Sequence, residues 1–305
     1  MPAAGAAMRH QAPAIGSPPV TAGRLPLDPL ATLRFTRRKE SWVAASSGRF
    51  YKIIRKSDDP LRDLDDPACI GTSLREYTDM CFLHGLDEAA CRPEGIDRAC
   101  IVYPLLSGPD MRTVLVSRAS TEQREASLRS ARGLLARLHR GEASGYPVKD
   151  YRRDGFLAPS PAVLERMAGR PRTLVVTGFE ARNFRFDRDR DAWFFFDPHH
   201  VWIGHPEEDF ARFMISLLMI RGRRKGPHLW TGFDRFRLRD SYESLAPAKL
   251  DSTLLNYFLL EELAMRRFHA TKLARRMPLA ARPFVMAYTG IYYHRLRRAL
   301  TSRRF

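Results

Sequence analysis

The side chains best suited to chemistry are an amide and a carboxylate on either side of a short polar turn. Asn183 follows segment 175–182, and Asp197 comes fourteen positions later, at the end of the aromatic run 193–196. A carboxylate at the end of a buried strand is costly unless a metal ion or another partner compensates its charge. Amide and carboxylate oxygens are hard ligands that suit Mg²⁺, which needs few of them when phosphate and water complete its shell. The alternative is that Asp197 caps a turn with Pro198.

A lysine and a glutamate upstream form a second candidate pair. Lys52 lies between Phe50 and Ile53 on an apolar strand, where a lone cation needs a reason. Lys56 would replace it if the strand register shifted, and either lysine could instead face solvent. Glu76 lies in an apolar helical segment, although the helix dipole also favours an ordinary surface acid in a first turn.

The elements that must position these residues begin with strands. Two β-rich runs, 41–45 and 49–55, flank the turn 46–48 and predict a hairpin. Segment 58–67 reads as an acidic loop. An amphipathic helix is predicted over 73–83, with Thr72 or Ser73 as its N-cap and Gly85 as its stop. Its predicted core face holds Leu74, Tyr77 and Cys81, with Leu83 as a further candidate.

The remainder of the chain is richer in helix. We predict strands at 99–106, 173–176 and 192–197, and helices at 121–139, 161–168 and 207–220, followed mostly by helix to residue 305. A β-rich first third before a helical remainder predicts an α+β fold with segregated layers.

This order of residues resembles the aminoglycoside phosphotransferase and lipopolysaccharide kinase branch of the protein-kinase-like superfamily. The match covers about residues 32–218 and runs through Lys52, Glu76, Tyr103-Pro104-Leu105, Leu138-His139, Asn183, Asp197 and Asp209. The resemblance implies a two-lobed α+β fold. Its small β-rich N-lobe would span 31–107, with an antiparallel sheet and one helix, and its larger helical C-lobe would span 108–305.

The resemblance also implies ATP and Mg²⁺ as cofactors and a role for each residue. Lys52 would contact the nucleotide phosphates and pair with Glu76, while Asn183 and Asp197 would hold Mg²⁺. Tyr103 and Leu105 would line the hinge that binds adenine. Asp209 would support the catalytic loop, and His139 is expected to be structural. The implied activity is phosphoryl transfer to a sugar hydroxyl of a glycolipid, a glycan or a similar small acceptor.

The catalytic loop departs from this family pattern where the base should be. Counting back five positions from Asn183 gives Gly178, and allowing one deletion gives Phe179. Neither residue accepts a proton, so Glu180, the nearest carboxylate, is the predicted base, and Asp150 is a more distant candidate. The sequence also lacks a G-x-G-x-x-G loop between its first strands. A pseudokinase that binds a membrane or a partner without phosphoryl transfer is therefore the main alternative.

Charge predicts a polyanionic partner. Lys and Arg number 51 against 34 Asp and Glu, which gives a net charge of +17. Segment 266–305 holds eleven Lys or Arg, no Asp or Glu, and interleaved aromatic residues, and a second basic cluster lies at 221–225. This pattern favours an anionic lipid or glycolipid surface. A basic nucleic-acid-binding protein and a merely solvated helical face are the alternatives.

The ends of the chain and its cysteines suggest a location. Segment 1–30 is rich in Ala, Pro and Gly and lacks the apolar core of a secretory signal, so we expect a disordered tail. Cys69, Cys81, Cys91 and Cys100 lack metal-binding spacing and are expected to be free thiols. We therefore expect a cytoplasmic protein that is peripheral at a membrane.

Overall fold

The structure, a computed structural model, describes residues 30–38, 40–117, 119–141, 145–219, 235–275 and 278–301. The predicted tail 1–30 lies outside the described residues apart from Leu30, which is buried. The basic cluster 221–225 also lies outside them.

The N-terminal part is an antiparallel sheet of five strands in the order β1-β2-β3-β5-β4, accompanied by two helices. In chain order its elements are β1 (Thr36–Arg37), β2 (Ser41–Ser46), β3 (Arg49–Ile54), α1 (Pro60–Asp65), α2 (Pro67–Leu86), β4 (Gly95–Asp97) and β5 (Cys100–Pro104). The predicted hairpin forms, since β2 pairs with β3 from Ser41 opposite Ile54 to Ser46 opposite Arg49.

The helices of this part differ from the prediction in number and in starting point. Helix α1 replaces the predicted acidic loop, because Asp59 accepts a hydrogen bond from the Leu61 backbone and Pro60 follows as the first helical residue. Helix α2 begins at Pro67 instead of near Ser73, because Asp66 accepts hydrogen bonds from the first turn. It also runs through Gly85 and ends at Leu86.

The buried face of α2 is not the predicted one. Leu74 is 50% exposed, and Tyr77 and Cys81 are only partly buried. The buried positions are Cys69, Ser73, Glu76, Asp79, Met80 and Leu83, and of these only Leu83 belongs to the predicted core face. The helix therefore presents a partly polar face to the protein interior, a pattern that a search for apolar residues at helical spacing overlooks.

The C-terminal part is mainly helical and carries two small antiparallel pairs of strands, β6 with β9 and β7 with β8. Its elements are α3 (Met111–Val116), α4 (Thr121–Leu138), α5 (Tyr151–Asp154), α6 (Pro161–Ala168), β6 (Thr173–Val176), β7 (Phe184–Asp187), β8 (Ala192–Phe195), β9 (Val201–Gly204), α7 (Pro206–Leu218), α8 (Arg235–Glu243), α9 (Ser252–Ala274) and α10 (Arg282–Thr301). The predicted α+β class with a β-rich N-lobe and a helical C-lobe is confirmed.

The larger apolar core is shared between the two lobes. Met80 and Leu83 of α2 belong to the same buried cluster as Leu134 of α4 and Phe213 of α7. A smaller cluster, which includes Tyr51, lies within the N-lobe. The four cysteines are free thiols, as predicted, with Cys81 partly exposed and the others buried. None of the helices in the described part of the chain is long and apolar enough to cross a membrane.

Candidate active site

Lys52 lies at the centre of a buried charge cluster. On β3 it stands between Val43 of β2 and Ile101 of β5, and it is 8% exposed. Its ammonium donates hydrogen bonds to both carboxylate oxygens of Glu76, at 2.8 and 2.7 Å, and a third to the Asp197 carboxylate. Burial opposes the charge on Lys52, but these two carboxylates outweigh it and raise its pKa. The structure thus brings together residues far apart in sequence.

Asp197 is held in an uncommon backbone conformation. Its φ is +63°, in the left-handed region that only a small share of residues other than glycine adopt. Burial opposes its ionisation, but the Lys52 ammonium lowers its pKa to about 2. Its carboxylate bonds a lysine instead of merely capping a turn, and its side chain remains 31% exposed. Strained residues of this kind cluster at functional sites.

Two backbone carbonyls hold the side chain of Asn183 in place. It is 3% exposed and lies at the end of a 3-10 turn, Ala181–Asn183. Its side-chain nitrogen donates to the Gly178 carbonyl at 2.8 Å and to the Asp197 carbonyl at 3.1 Å. With the amide hydrogens engaged, the side-chain oxygen is left as an acceptor or ligand.

The donor set fits a hard divalent cation that shares its shell with a phosphate. Asp197 supplies a carboxylate that stays ionised at neutral pH, and Asn183 supplies an amide oxygen. Among the described residues, no three His, Cys, Asp or Glu side chains form a group that could hold a metal ion by themselves. Mg²⁺ is commonly bound by one or two protein oxygens together with substrate phosphates and water.

An apolar cleft of about 360 Å³ lies beside this cluster. It is lined by Phe50, Cys91, Tyr103, Pro104, Leu105, Leu106, Arg185 and Phe196. The Tyr103 hydroxyl donates to Glu76 at 2.8 Å, which connects the cleft to the lysine pair. Tyr103 and Leu105, predicted from the sequence, therefore line the same cavity, whereas Phe50, Arg185 and Phe196 were not predicted to do so.

The end of β5 offers backbone groups to this cleft. Leu105 donates its backbone N–H to the Gly48 carbonyl at 2.8 Å, and Pro104 stands opposite Arg49. In an antiparallel ladder, successive residues direct their hydrogen-bonding groups to opposite edges. The Pro104 carbonyl therefore points away from β3, to the side of β5 on which β4 lies. Strand β4 does not extend as far as Pro104.

Gly178, at the position where the family pattern has its base, is closed by a backbone contact. A Cβ built on Gly178 would lie 2.5 Å from the Asp197 carbonyl oxygen and 2.9 Å from the Pro198 Cα. Both contacts are to backbone, which cannot rotate away. Position 178 thus requires glycine in this arrangement, and a carboxylate there would displace the loop that carries Asp197.

The two predicted base candidates lie in other environments. Glu180 is 7% exposed, and its carboxylate oxygens accept from Arg266 at 2.9 Å and pair with Arg182 at 2.8 Å. Asp150 is the N-cap of α5 and accepts from the Arg152 backbone at 3.0 Å. Neither carboxylate contacts Lys52 or Asp197 among the described contacts, so the structure does not bring them into the lysine cluster.

Asp209 contacts the strand that leads into the Asn183 loop. This residue lies in the first turn of α7, is fully buried, and accepts from the Val176 backbone at 2.7 Å. His139 approaches the same carboxylate at 3.5 Å and also contacts the Tyr242 hydroxyl at 2.6 Å. Asp209 thus holds the end of β6, two residues before Gly178, and its support of the catalytic loop stays a prediction.

The turn between β1 and β2 is too short for a glycine-rich phosphate loop. The Arg38 backbone donates to the Ser41 carbonyl at 2.8 Å, which closes the turn over very few residues. Lys56, the substitute considered for Lys52, pairs with Asp66 at 3.5 Å on the surface. Of these two lysines, Lys52 is therefore the one that lies in the buried charge cluster.

Comparison with solved structures identifies the architecture. A structure from Ralstonia eutropha JMP134, assigned to the aminoglycoside phosphotransferases, superposes with a TM-score of 0.57 at 16% identity, covering 88% of this chain and 90% of its own. Amicoumacin kinase hAmiN, solved with AMP-PNP, Ca²⁺ and Ami, gives 0.52 at 12% identity, with 87% and 89% covered. The protein has a kinase-like fold.

A third structure belongs to the same group of folds. Aminoglycoside phosphotransferase APH(3'')-Id from Streptomyces rimosus, solved with ADP and streptomycin, gives a TM-score of 0.51 at 14% identity, covering 74% of this chain and 90% of its own. No family model matches the sequence, and no curated protein matches it. The structural comparison therefore establishes the kinase-like fold, and an activity has to be inferred from the residues of the site.

Proposed function

We propose that the protein binds ATP with Mg²⁺ and transfers the terminal phosphoryl group to a hydroxyl of a small acceptor. The observation that carries this proposal is the contact of Lys52 with both Glu76 and Asp197 at the edge of an apolar cleft. A buried lysine between two carboxylates presents a fixed positive charge to phosphates, and Asp197 with Asn183 presents oxygens to a metal.

The cleft suits a purine base. Phe50 and Leu106 offer apolar surfaces, and the Pro104 carbonyl supplies an acceptor for an exocyclic amine. Mg²⁺ would neutralise phosphate charge when bound, and Asp197 and Asn183 would hold it. The acceptor is proposed to be a sugar hydroxyl on a glycolipid, a glycan or a similar molecule, which follows from the sequence resemblance.

A thermal-shift titration tests the proposal. Unfolding should move to higher temperature with Mg-ATP, because a ligand that binds only the folded state stabilises it, by about 2.7 kcal/mol at a hundredfold excess over Kd. Lys52→Met should remove this shift, whereas Lys56→Met, which changes a surface lysine just beyond β3, should keep it. Absence of any shift for the wild type in the presence of metal would contradict the proposal.

Nucleotide binding without transfer is a second candidate, favoured by the closed contact at Gly178. The binding residues and the missing base are separate features, so the two candidates share every binding prediction. They differ in turnover: a phosphotransferase hydrolyses or transfers the terminal phosphate of ATP with Mg²⁺, and a pseudokinase leaves it intact. Phosphorus NMR of an ATP incubation, with Asp197→Asn as the blank, distinguishes them.

We further propose that α10 faces an anionic lipid surface. Phe284 and Ile291 are 78% and 56% exposed and stand seven residues apart on one face of the helix. No acidic residue occurs after Glu262 in the sequence. Co-sedimentation with phosphatidylglycerol vesicles should exceed that with phosphatidylcholine and fall for Phe284→Ala with Ile291→Ala. Equal binding to both lipids would refute the lipid surface, and preferential binding to nucleic acid would favour that alternative.

A further inference from the structure

A row of ion pairs ends at an arginine beside the proposed metal site. Glu180 is buried and accepts on one carboxylate oxygen from Arg266 at 2.9 Å, while its other oxygen pairs with the Nε of Arg182 at 2.8 Å. Both oxygens of Glu180 are thus engaged by guanidinium groups. The carboxylate orients Arg182 by holding one side of its planar head.

Arg266, which holds Glu180, is itself fixed by ion pairs. Arg266 donates from its Nε to Glu262 at 2.6 Å, and Glu262 accepts from Arg212 at 3.1 Å. Glu262 and Arg212 are almost completely buried between α9 and α7. Because these charges satisfy one another in a dry environment, rotating Arg266 away would leave a buried charge unpaired, which is costly. Arg266, counted from the sequence as part of a basic surface, is therefore part of this internal row.

Arg182 itself faces outward. Its side chain is 55% exposed, in contrast to the buried residues that hold it. The terminal nitrogens of its guanidinium have no protein partner among the described contacts, so they are free to donate. Arg182 also directly precedes Asn183, whose amide contacts the Asp197 backbone at 3.1 Å. This places a permanently charged group next to Asn183, one of the two candidate metal ligands, on the same short loop.

Arg182 lies on the loop that packs against Asp197. Both ends of this loop contact the Asp197 carbonyl, through the Asn183 side-chain amide at 3.1 Å and through the close approach of Gly178. The base position at Gly178 is meanwhile closed by backbone. Phosphoryl transfer depends chiefly on positioning and on stabilising charge in a loose transition state, so a cation there can matter more than a base.

On the basis of the proposed function, we propose that Arg182 binds the terminal phosphate of the nucleotide and stabilises its charge during transfer. In this step the bond between the terminal phosphorus and the bridging oxygen breaks, and its electron pair leaves with ADP. The acceptor hydroxyl oxygen forms the new bond to phosphorus, and its proton passes to solvent water. Arg182 contacts the moving phosphoryl oxygens, and Glu180 is a positioning residue that acts through Arg182.

Nucleotide binding without turnover tests the phosphate contact. Isothermal titration calorimetry with Mg²⁺ should show Arg182→Ala weakening AMP-PNP binding by about tenfold, the usual size of one lost charge-assisted phosphate contact. ADP lacks the terminal phosphate, so its affinity should change by less than about twofold. Arg129→Ala, which removes an exposed arginine on α4, should alter neither affinity. Equal weakening of both nucleotides, or of neither, would overturn the proposal.

Glu180→Gln separates positioning from base catalysis. If Glu180 positions Arg182, the variant should lose part of the preference for AMP-PNP over ADP, and Arg182→Lys should recover part of it relative to Arg182→Ala. If the variant keeps the wild-type preference but loses transfer, Glu180 is a base and the positioning role is overturned. Far-ultraviolet circular dichroism of each variant checks that it is folded. A wild type that binds neither nucleotide would instead overturn the proposed function.

Discussion

The two ends of the loop from Gly178 to Asn183 differ in which residues of the family pattern they contain. At the Asn183 end, the Asn183 side-chain amide donates to the Asp197 backbone carbonyl, and the Asp197 carboxylate pairs with Lys52, so Asp197 connects the other two residues. At the Gly178 end, the space that would hold a catalytic carboxylate is filled by the Asp197 carbonyl. The same contact that closes one end supports the other, because the Gly178 and Asp197 carbonyls share the Asn183 amide. The proposed binding of a nucleotide and the removal of a proton would therefore depend on different ends of this loop.

The largest effect should come from the intact end. Asp197→Asn removes the charge that faces Lys52 and the proposed metal, so ATP turnover should fall by about 100- to 1000-fold. The Mg²⁺-dependent part of ATP binding, measured by calorimetry with and without EDTA, should also disappear. Asp191→Asn, an exposed aspartate of the β7–β8 turn, is the matched control. Unchanged metal dependence in Asp197→Asn would remove the contrast between the two ends.

The start of α7, at His205, should make the stability of the fold depend on pH in a particular range. His205 is fully buried next to Tyr151, and burial lowers its pKa to about 4 from 6.5. Between those pH values the unfolded chain binds a proton that the folded chain does not, so His205 lowers the free energy of unfolding as the pH falls. The total effect is about 3 kcal/mol, at about 1.4 kcal/mol per pH unit.

The comparison with His205→Phe isolates this effect. Phenylalanine keeps the aromatic contact with Tyr151 but does not titrate, so the stability of the variant relative to wild type should rise between pH 6.5 and 4. The slope of the wild-type stability against pH is less informative by itself. Burial raises the pKa of Asp79 to about 7, so protonation of Asp79 raises the free energy of unfolding as the pH falls, opposite to the effect of His205. Denaturant unfolding of both proteins at several pH values provides the measurement, and parallel curves would contradict the expectation.

A smaller change tests the closed contact directly. Gly178→Ala places a methyl group against the backbone of Asp197, and the resulting displacement should destabilise the fold by about 1–3 kcal/mol and weaken AMP-PNP binding. Gly71→Ala is the control, because a Cβ there meets nothing within 4 Å and α2 should gain about 0.5–1 kcal/mol. If Gly178→Ala were as well tolerated as Gly71→Ala, position 178 would be open to a carboxylate after all.

The smallest effect should come from Asp150. Its carboxylate caps α5 by accepting from the Arg152 backbone, so Asp150→Asn keeps a good capping group and should change stability by less than about 0.5 kcal/mol. ATP turnover should stay within about twofold of wild type, since this is a cap far from Asn183 in sequence. A loss of turnover comparable with that of Asp197→Asn would identify Asp150 as the missing base.

Short-range signals in the sequence predicted much of the fold. Helix α6 and strand β6 begin and end where periodicity and proline placed them, and α4 differs by one residue. The errors arose where two start signals competed: Asp66 with Pro67 caps α2, although Thr72 and Ser73 offered the same chemistry. Strand β9 was not predicted from the sequence.

The site was predictable in its components more than in its arrangement. Lys52, Glu76 and Asp197 were found by residue type and order, and their contact follows from the fold. The engagement of Glu180 by Arg266 spans 86 positions, and no local pattern encodes such a pair. Arg266 was counted among the surface cations, because the sequence gives the charge of a residue but not its burial.

The shared core also limits how the proposed enzyme could be controlled. Met80 and Leu83 of α2 are fully buried in the cluster that includes helices of the C-lobe. Swinging α2 outward would separate Glu76 from Lys52, but it would also expose these two side chains, at a cost of about 1.5–3 kcal/mol each. The lysine pair should therefore be formed constitutively, before any ligand arrives. Regulation, where it exists, would act on access to the cleft instead of on its assembly.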